Sequence, residues 1–353
     1  MRNKSLAIVC ILMSSLFSCA KGGLKAIDPS GGKAISLLND GLKEFLDAPY
    51  SPTASDSFVN GGAEVYEPKL IEFSFSETPD YVDLSVDPEF TDYREIEVDT
   101  DYFHLENFES DSSYYWRIRK GEEISPIANF STEKSIRTIK ISGVTNSRDS
   151  GNWDVYDTNG EKKGMVKQGM LYRTGCLDDA DYRGREMVLN WLKVKTELDL
   201  RAASEIAYSS FLENYINISS PMYGDPGIFD KEEKETMKEI MSVFATKDNY
   251  PIIYHCAIGR DRTGTVAFLL GALLGMKEED LKKDYDLSFY TVGDETNCPS
   301  EMHRNSFDPL LNKMKKYKDA SLSLQENVHQ YLLDIGLEES QINSIKEILI
   351  TKA

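Results

Sequence analysis

The stretch Tyr254-His255-Cys256-Ala257-Ile258-Gly259-Arg260-Asp261-Arg262-Thr263-Gly264 decides how this chain is read. Before it lies Pro251-Ile252-Ile253-Tyr254, a short apolar run that predicts a buried strand. After it, Thr265 to Leu274 is almost wholly apolar and predicts a helix. A cysteine therefore stands at the tip of a strand, a short loop follows, and an arginine sits where a helix begins. A loop closing onto a helix N-terminus gathers unpaired backbone N–H groups at the positive end of the helix dipole, which suits a dianion such as a phosphate ester.

Each residue type has a use in such a loop. Arg262 offers a planar fork for two phosphate oxygens. The same positive field favours thiolate over thiol, which makes Cys256 a candidate nucleophile. Gly259 and Gly264 allow close backbone approach. The Thr263 hydroxyl is placed to steady the sulfur, and His255 to orient the loop. A structural cysteine on an ordinary strand is the alternative, but histidine, glycines, threonine and the strand-loop-helix context all agree against it.

His-Cys, five residues, then Arg-Thr-Gly resembles the phosphate-binding loop of the cysteine-dependent tyrosine and dual-specificity phosphatases. Arg260-Asp261 before the arginine resembles the atypical bacterial branch of tyrosine-protein phosphatases, which usually has lysine at the position of Arg260. Some members of that branch also act on phosphoinositides. Further stretches resemble that branch in the same order. They are Asn146-Ser147-Arg148-Asp149-Ser150-Gly151, Gly169 to Gly175, Leu198-Asp199-Leu200-Arg201 with Glu205, and Lys283 to Ser288.

The resemblance implies a nucleophilic Cys256 forming a cysteinyl-phosphate, with Arg262 and the amides of Ala257, Ile258, Gly259, Arg260, Asp261 and Arg262 holding the phosphoryl oxygens. No metal or other cofactor is implied. A carboxylic acid must protonate the leaving oxygen. Asp225, 31 residues before Cys256 in a Gly- and Pro-containing loop, and Asp261, inside the phosphate loop, rank together; Asp199 stands behind them. Arg260 either widens the positive field toward a second phosphate or is a solvated rim charge. The expected substrate is protein phosphotyrosine, with phosphoserine or phosphothreonine as extensions. A phosphoinositide or inositol phosphate is the alternative, and a silent phosphate-binding surface module a third reading.

The rest of the 353 residues fits this picture. A net charge of −19 argues against nucleic acid or an acidic membrane surface as a general partner. The chain opens with Arg2 and Lys4, the apolar run Leu6 to Phe17, and Leu16-Phe17-Ser18-Cys19. This resembles a bacterial lipoprotein signal, so residues 1–18 are expected to be removed, Cys19 lipidated, and the protein exported to the cell envelope on a membrane anchor.

Residues 19–62 are polar and read as a tether carrying one amphipathic patch, Ile35 to Leu46. Residues 63–133 show alternating runs at Leu70–Phe75, Tyr81–Val86, Glu95–Val98 and Tyr114–Arg119, predicting a small all-β sandwich. Phe108, Tyr114 and Trp116 there resemble the tyrosine-corner strand of fibronectin type III domains. Residues 134–353 are expected to form the α/β phosphatase domain, a central, mostly parallel sheet flanked by helices. Of the five cysteines, Cys176 and Cys298 are the candidates for a reversible disulfide with Cys256, two unpaired thiols being the alternative. No cysteine pair has metal-ligand spacing and the four histidines are scattered, so no metal site is expected.

Overall fold

The computed structural model describes residues 23–59, 66–221, 227–289, 301 and 303–352. The expected signal with Cys19, and also Asp225 and Cys298, lie outside the described residues.

The C-terminal half is built on a six-stranded sheet. Its centre is the parallel set Leu171–Thr174, Ile252–His255, Thr196–Asp199 and Asn214–Asn217, in that spatial order, with two short antiparallel strands, Arg148–Asp149 and Arg137–Thr138, added outside Leu171–Thr174. All four residues in each of the first three central strands are buried. Helices cover such a sheet, which is why the strands read as continuous rather than alternating apolar runs. The helix Asp261–Leu274 leaves only Asp261, Arg262 and Ala267 less than fully buried. A helix apolar on all sides belongs inside a core. Lys231–Ala245 instead buries one face through Met237, Ile240, Met241 and Phe244. The three tail helices form at Asp308–Met314, Leu324–Asp334 and Glu339–Leu349, broken at Gly336, whose φ is +96°. The chain then returns as the strand Ile350–Lys352, pairing with Lys162–Val166.

Ahead of this half, two sheets share one apolar cluster that includes Phe73, Val82, Leu84, Phe108, Trp116, Ile118 and Phe130. The Tyr114 hydroxyl accepts from the Glu109 backbone N–H at 2.7 Å.

The tether expectation needs correction. Ala26–Asp28 pairs with Ile71–Phe75, and Lys33–Ile35 pairs in parallel with Ala128–Thr132, so the β-rich part begins well before residue 63 and is not purely antiparallel. Asp40–Asp47 is a helix that buries Leu42 and Phe45 in the core of the C-terminal half. Lys283 Nζ holds the carbonyls of Leu46 and Ala48 at 2.8 and 2.6 Å. These elements are three to eight residues long with few apolar positions; the helix buries Leu42 and Phe45, whereas Ile27 of the first strand stays exposed. Among the described residues, no helix is long and apolar enough to cross a membrane.

The two halves meet at Asn107. Its side chain accepts from Lys140 N at 2.7 Å and donates to Lys140 O at 2.9 Å, and its carbonyl accepts from Arg137 Nη2 and Trp191 Nε1. Gln168 adds a second exchange, with Ser110 N and O at 3.0 and 2.8 Å.

Candidate active site

Cys256 follows the last residue of the central strand Ile252–His255 and is buried, at the C-terminal end of the parallel sheet where α/β folds place their ligands. The loop after it is tied down from outside through its carbonyl oxygens. Cys256 O lies 3.2 Å from His255 Nδ1, Ala257 O accepts from Cys176 N at 3.0 Å, and Ile258 O accepts from Asn146 Nδ2 at 2.9 Å. Gly259 O accepts from Arg173 Nη2 at 3.0 Å, and Arg260 O from Gly264 N at 2.9 Å. In a trans peptide the N–H points opposite to its carbonyl. With the carbonyls from Cys256 to Gly259 tied by groups outside the loop, the amides from Ala257 to Arg260 point away from those ties.

This backing explains why the flanking stretches are needed. Arg148 holds Asn146 Oδ1 at 2.5 Å, so the residue that binds Ile258 is itself fixed. Asp284 joins Arg148 Nε at 2.9 Å and also bonds Arg173 Nη1, binding both arginines. Burial alone would raise the Asp284 carboxyl, but Arg173 and Arg148 outweigh it and hold it below its ordinary value. Gly259 has φ +71°, and a Cβ there would stand 2.3 Å from the Thr174 carbonyl oxygen. Only glycine fits that crossing.

Arg262 lies beside the Cys256 sulfur, and its guanidinium donates to both Glu205 oxygens at 2.5 and 2.8 Å. That fork sets the plane of the guanidinium. The Arg262 bond pulls Glu205 down to about 2, and Glu205 in return raises Arg262, so both stay charged. Ala257 is exposed and Ile258 half-buried at the mouth. Thr263 is buried, but its hydroxyl has no hydrogen-bond partner among the described residues, so the expected bond to the sulfur is not formed. Cys176 and Cys256 are both free thiols.

Two further expectations change. Asp199 is not placed as an acid. Its oxygens accept from the Arg201 guanidinium at 2.8–3.1 Å, from Arg201 N and from the Tyr215 hydroxyl, and although burial would raise it, Arg201 keeps it below its ordinary value. Such a carboxylate holds no proton to give. Arg260 is not a rim charge: it is 8% exposed, with its guanidinium 5.0 Å over the Phe289 ring and its Nε 3.3 Å from Asp261. Asp261, by contrast, stands half-buried in the first helical turn beside Arg262.

Sequence reasoning missed Glu197. It is buried on the Thr196–Asp199 strand, with Oε1 2.9 Å from His255 Nε2. A glutamate inside a fully buried strand was the available signal. Glu197, Asp199 and His255 bring their ligand atoms within 4.8 Å of one another. Arg201 occupies Asp199, however, and Glu197 bonds the ring directly, so hydrogen bonds rather than an ion knit this cluster.

A profile described as the tyrosine phosphatase family matches residues 139–351. Segments of the chain are similar to putative tyrosine-protein phosphatases OCA1. In the Debaryomyces hansenii protein the identity is 32% over 63 residues, covering 18% of this chain and 32% of that protein. In the Scheffersomyces stipitis protein it is 29% over 72 residues, covering 20% and 34%. The chain thus spans about a third of the length of these curated relatives.

Among solved structures it is similar to the core catalytic domain of the S. cerevisiae PP-IP phosphatase SIW14 in complex with citrate. The identity is 15% and the TM-score 0.28, over 43% of this chain and 91% of that one. It is also similar to P. aeruginosa TpbA in complex with phosphotyrosine, at 15% identity and TM-score 0.32, over 53% and 97%. The chain belongs to the tyrosine phosphatase family.

Proposed function

We propose that this protein hydrolyses phosphotyrosine in proteins through a cysteinyl-phosphate on Cys256. The observation that carries this reading is Arg262 beside the Cys256 sulfur, at a loop whose carbonyls from Cys256 to Gly259 are each bound by a group outside the loop. In this reading the Cys256 sulfur attacks phosphorus in line, the amides and Arg262 take the charge spreading over the equatorial oxygens, and a carboxylic acid protonates the leaving phenolate; Asp261, which also pairs with Arg260, is one candidate. Water then hydrolyses the thiophosphate ester. Asp225 is the rival for the acid.

The inward placement of Arg260 supports a single phosphate on the substrate. A guanidinium folded over Phe289 and toward Asp261 is spent within the protein rather than offered to a second phosphate. Parallel turnover of a phosphotyrosine peptide and a soluble inositol phosphate, each compared as kcat/KM, decides between the two. A large preference for the inositol phosphate would overturn this choice.

Export and anchoring through Cys19, and a fibronectin type III-like character for the β-rich half, belong to the same proposal. They rest on the N-terminal sequence and on the Tyr114 tie. Loss of membrane association in Cys19→Ala would support the anchor, and its persistence would end that part of the proposal. The close seam at Asn107 suits a domain that positions the catalytic half rather than one that swings freely.

A further inference from the structure

The buried His255 ring is held between acceptors on both sides. Nε2 faces Glu197 Oε1 at 2.9 Å, while Nδ1 faces the carbonyl oxygen of Cys256 at 3.2 Å and Asp199 Oδ1 at 3.8 Å. His255 is fully buried and the Glu197 side chain 4% exposed. The other Glu197 oxygen accepts from the Ser210 hydroxyl, so the carboxylate is fixed as well. A carbonyl and a carboxylate beside Nδ1 require a proton on that nitrogen. A neutral ring bearing it only on Nε2 would leave Nδ1 as a lone pair against two oxygens. A proton on Nδ1 points at the carbonyl of the nucleophile's own peptide.

We infer that Glu197 is a positioning residue for Cys256, acting through His255: it sets the ring's protonation so that Nδ1 donates to the Cys256 carbonyl and keeps positive charge behind the sulfur. This rests on Cys256 being the nucleophile. The other charged groups around the ring are accounted for. Asp199 is taken by Arg201 and Tyr215, and Asp178 by Arg201 at 2.7 and 2.9 Å. Arg185 and Tyr208 line the same small cavity as Glu197 and Asp199. Beyond the cysteine, Arg262 is held by Glu205. Glu197 is therefore the carboxylate with a direct bond to the ring.

The test uses the full, reduced protein and the Glu197→Gln variant, which keeps shape and hydrogen bonding but removes the charge. Two readouts are taken across pH: the rate of Cys256 alkylation by iodoacetamide, and kcat/KM on a generic aryl phosphate. The expected result is an alkylation midpoint moved up by about one pH unit, equivalent to about a tenfold loss of thiolate below the midpoint. A kcat/KM about tenfold lower on the acid side, with KM little changed, should accompany it. In a His255→Asn background the same substitution should change neither readout. Melting temperature is recorded for every variant, because a merely structural Glu197 would lower it and leave the alkylation profile in place. That outcome, or a Glu197→Gln effect that survives in His255→Asn, overturns the inference. If the wild type releases no phosphate but the alkylation profile shifts, the phosphatase reading fails and the positioning role stands.

Discussion

Replacing Asp284 by alanine is the severest single test of how the phosphate loop is held. Asp284 joins Arg148 and Arg173, each 1% exposed, and those two arginines hold Ile258, through Asn146, and Gly259. Removing the carboxylate leaves two buried guanidinium groups without a counter-charge, and breaking one buried pair in this way costs about 3–5 kcal/mol. Both arginines keep carbonyl acceptors in the variant, Arg148 at Asp284 O and Arg173 at Gly259 O. That partial satisfaction argues against doubling the figure, and a loss of about 4 kcal/mol is expected from a total stability on the order of 5–15 kcal/mol.

Urea unfolding gives the stability, and kcat/KM on an aryl phosphate at a temperature where the variant is folded should fall at least about tenfold as the loop loosens. The folded-state value of Asp284 lies below its ordinary one, so its contribution is present above the ordinary carboxylate range and lost as pH falls through the folded value. The gap between wild type and variant should therefore be constant above about pH 5 and shrink below about pH 4. Lys43→Ala, which breaks an exposed pair with Asp47, should cost less than about 0.5 kcal/mol in the same assay. An Asp284→Ala loss under about 1 kcal/mol with unchanged kcat/KM would refute the account of the loop's backing.

Other substitutions extend the account. Glu205→Gln breaks the charged fork on Arg262 and should lower kcat/KM by about tenfold or more. Because Glu205 is held down to about 2, that factor should be the same between about pH 5 and about pH 8, which a pH series of kcat/KM would check. Gly259→Ala places a Cβ against the Thr174 carbonyl at positive φ and should reduce kcat about a hundredfold or more, by steady-state assay, with a smaller change in melting temperature. Asn107→Ala removes the paired exchange with Lys140 at the seam and should cost about 2–4 kcal/mol in urea unfolding.

The strand, loop and helix around Cys256 were legible because buried parallel strands and an all-apolar helix leave little ambiguity of period, and because Gly259 and Arg262 answer to one geometry. The flanking motifs were recognisable, but what joins them was not. Nothing in the spacing of Asn146, Arg173 and Asp284 says that two arginines share one carboxylate beneath the loop. Asp199 read as a possible acid because its partner, Arg201, is only two residues away and could equally have pointed outward. Arg260 stood open between a second-phosphate contact and a rim charge because an aromatic partner 29 residues later in the chain is invisible before folding. The segment from Ala26 to Asp47 read as a tether because its strands are three residues long and its helix buries just Leu42 and Phe45. Elements that short are specified by what they pack on, not by their own pattern.

The central claim is that Cys256 carries the phosphoryl group. It is tested most directly by mixing reduced protein with a phosphotyrosine peptide, quenching in acid within the first turnover and mapping phosphate on the digested protein by mass spectrometry. The account predicts a phosphate adduct on the Cys256 peptide of the wild type. In Cys256→Ser it predicts no adduct and no phosphate release, with retained binding of the peptide. Phosphate release by Cys256→Ser at a rate comparable to wild type, or an adduct on another residue, would contradict it.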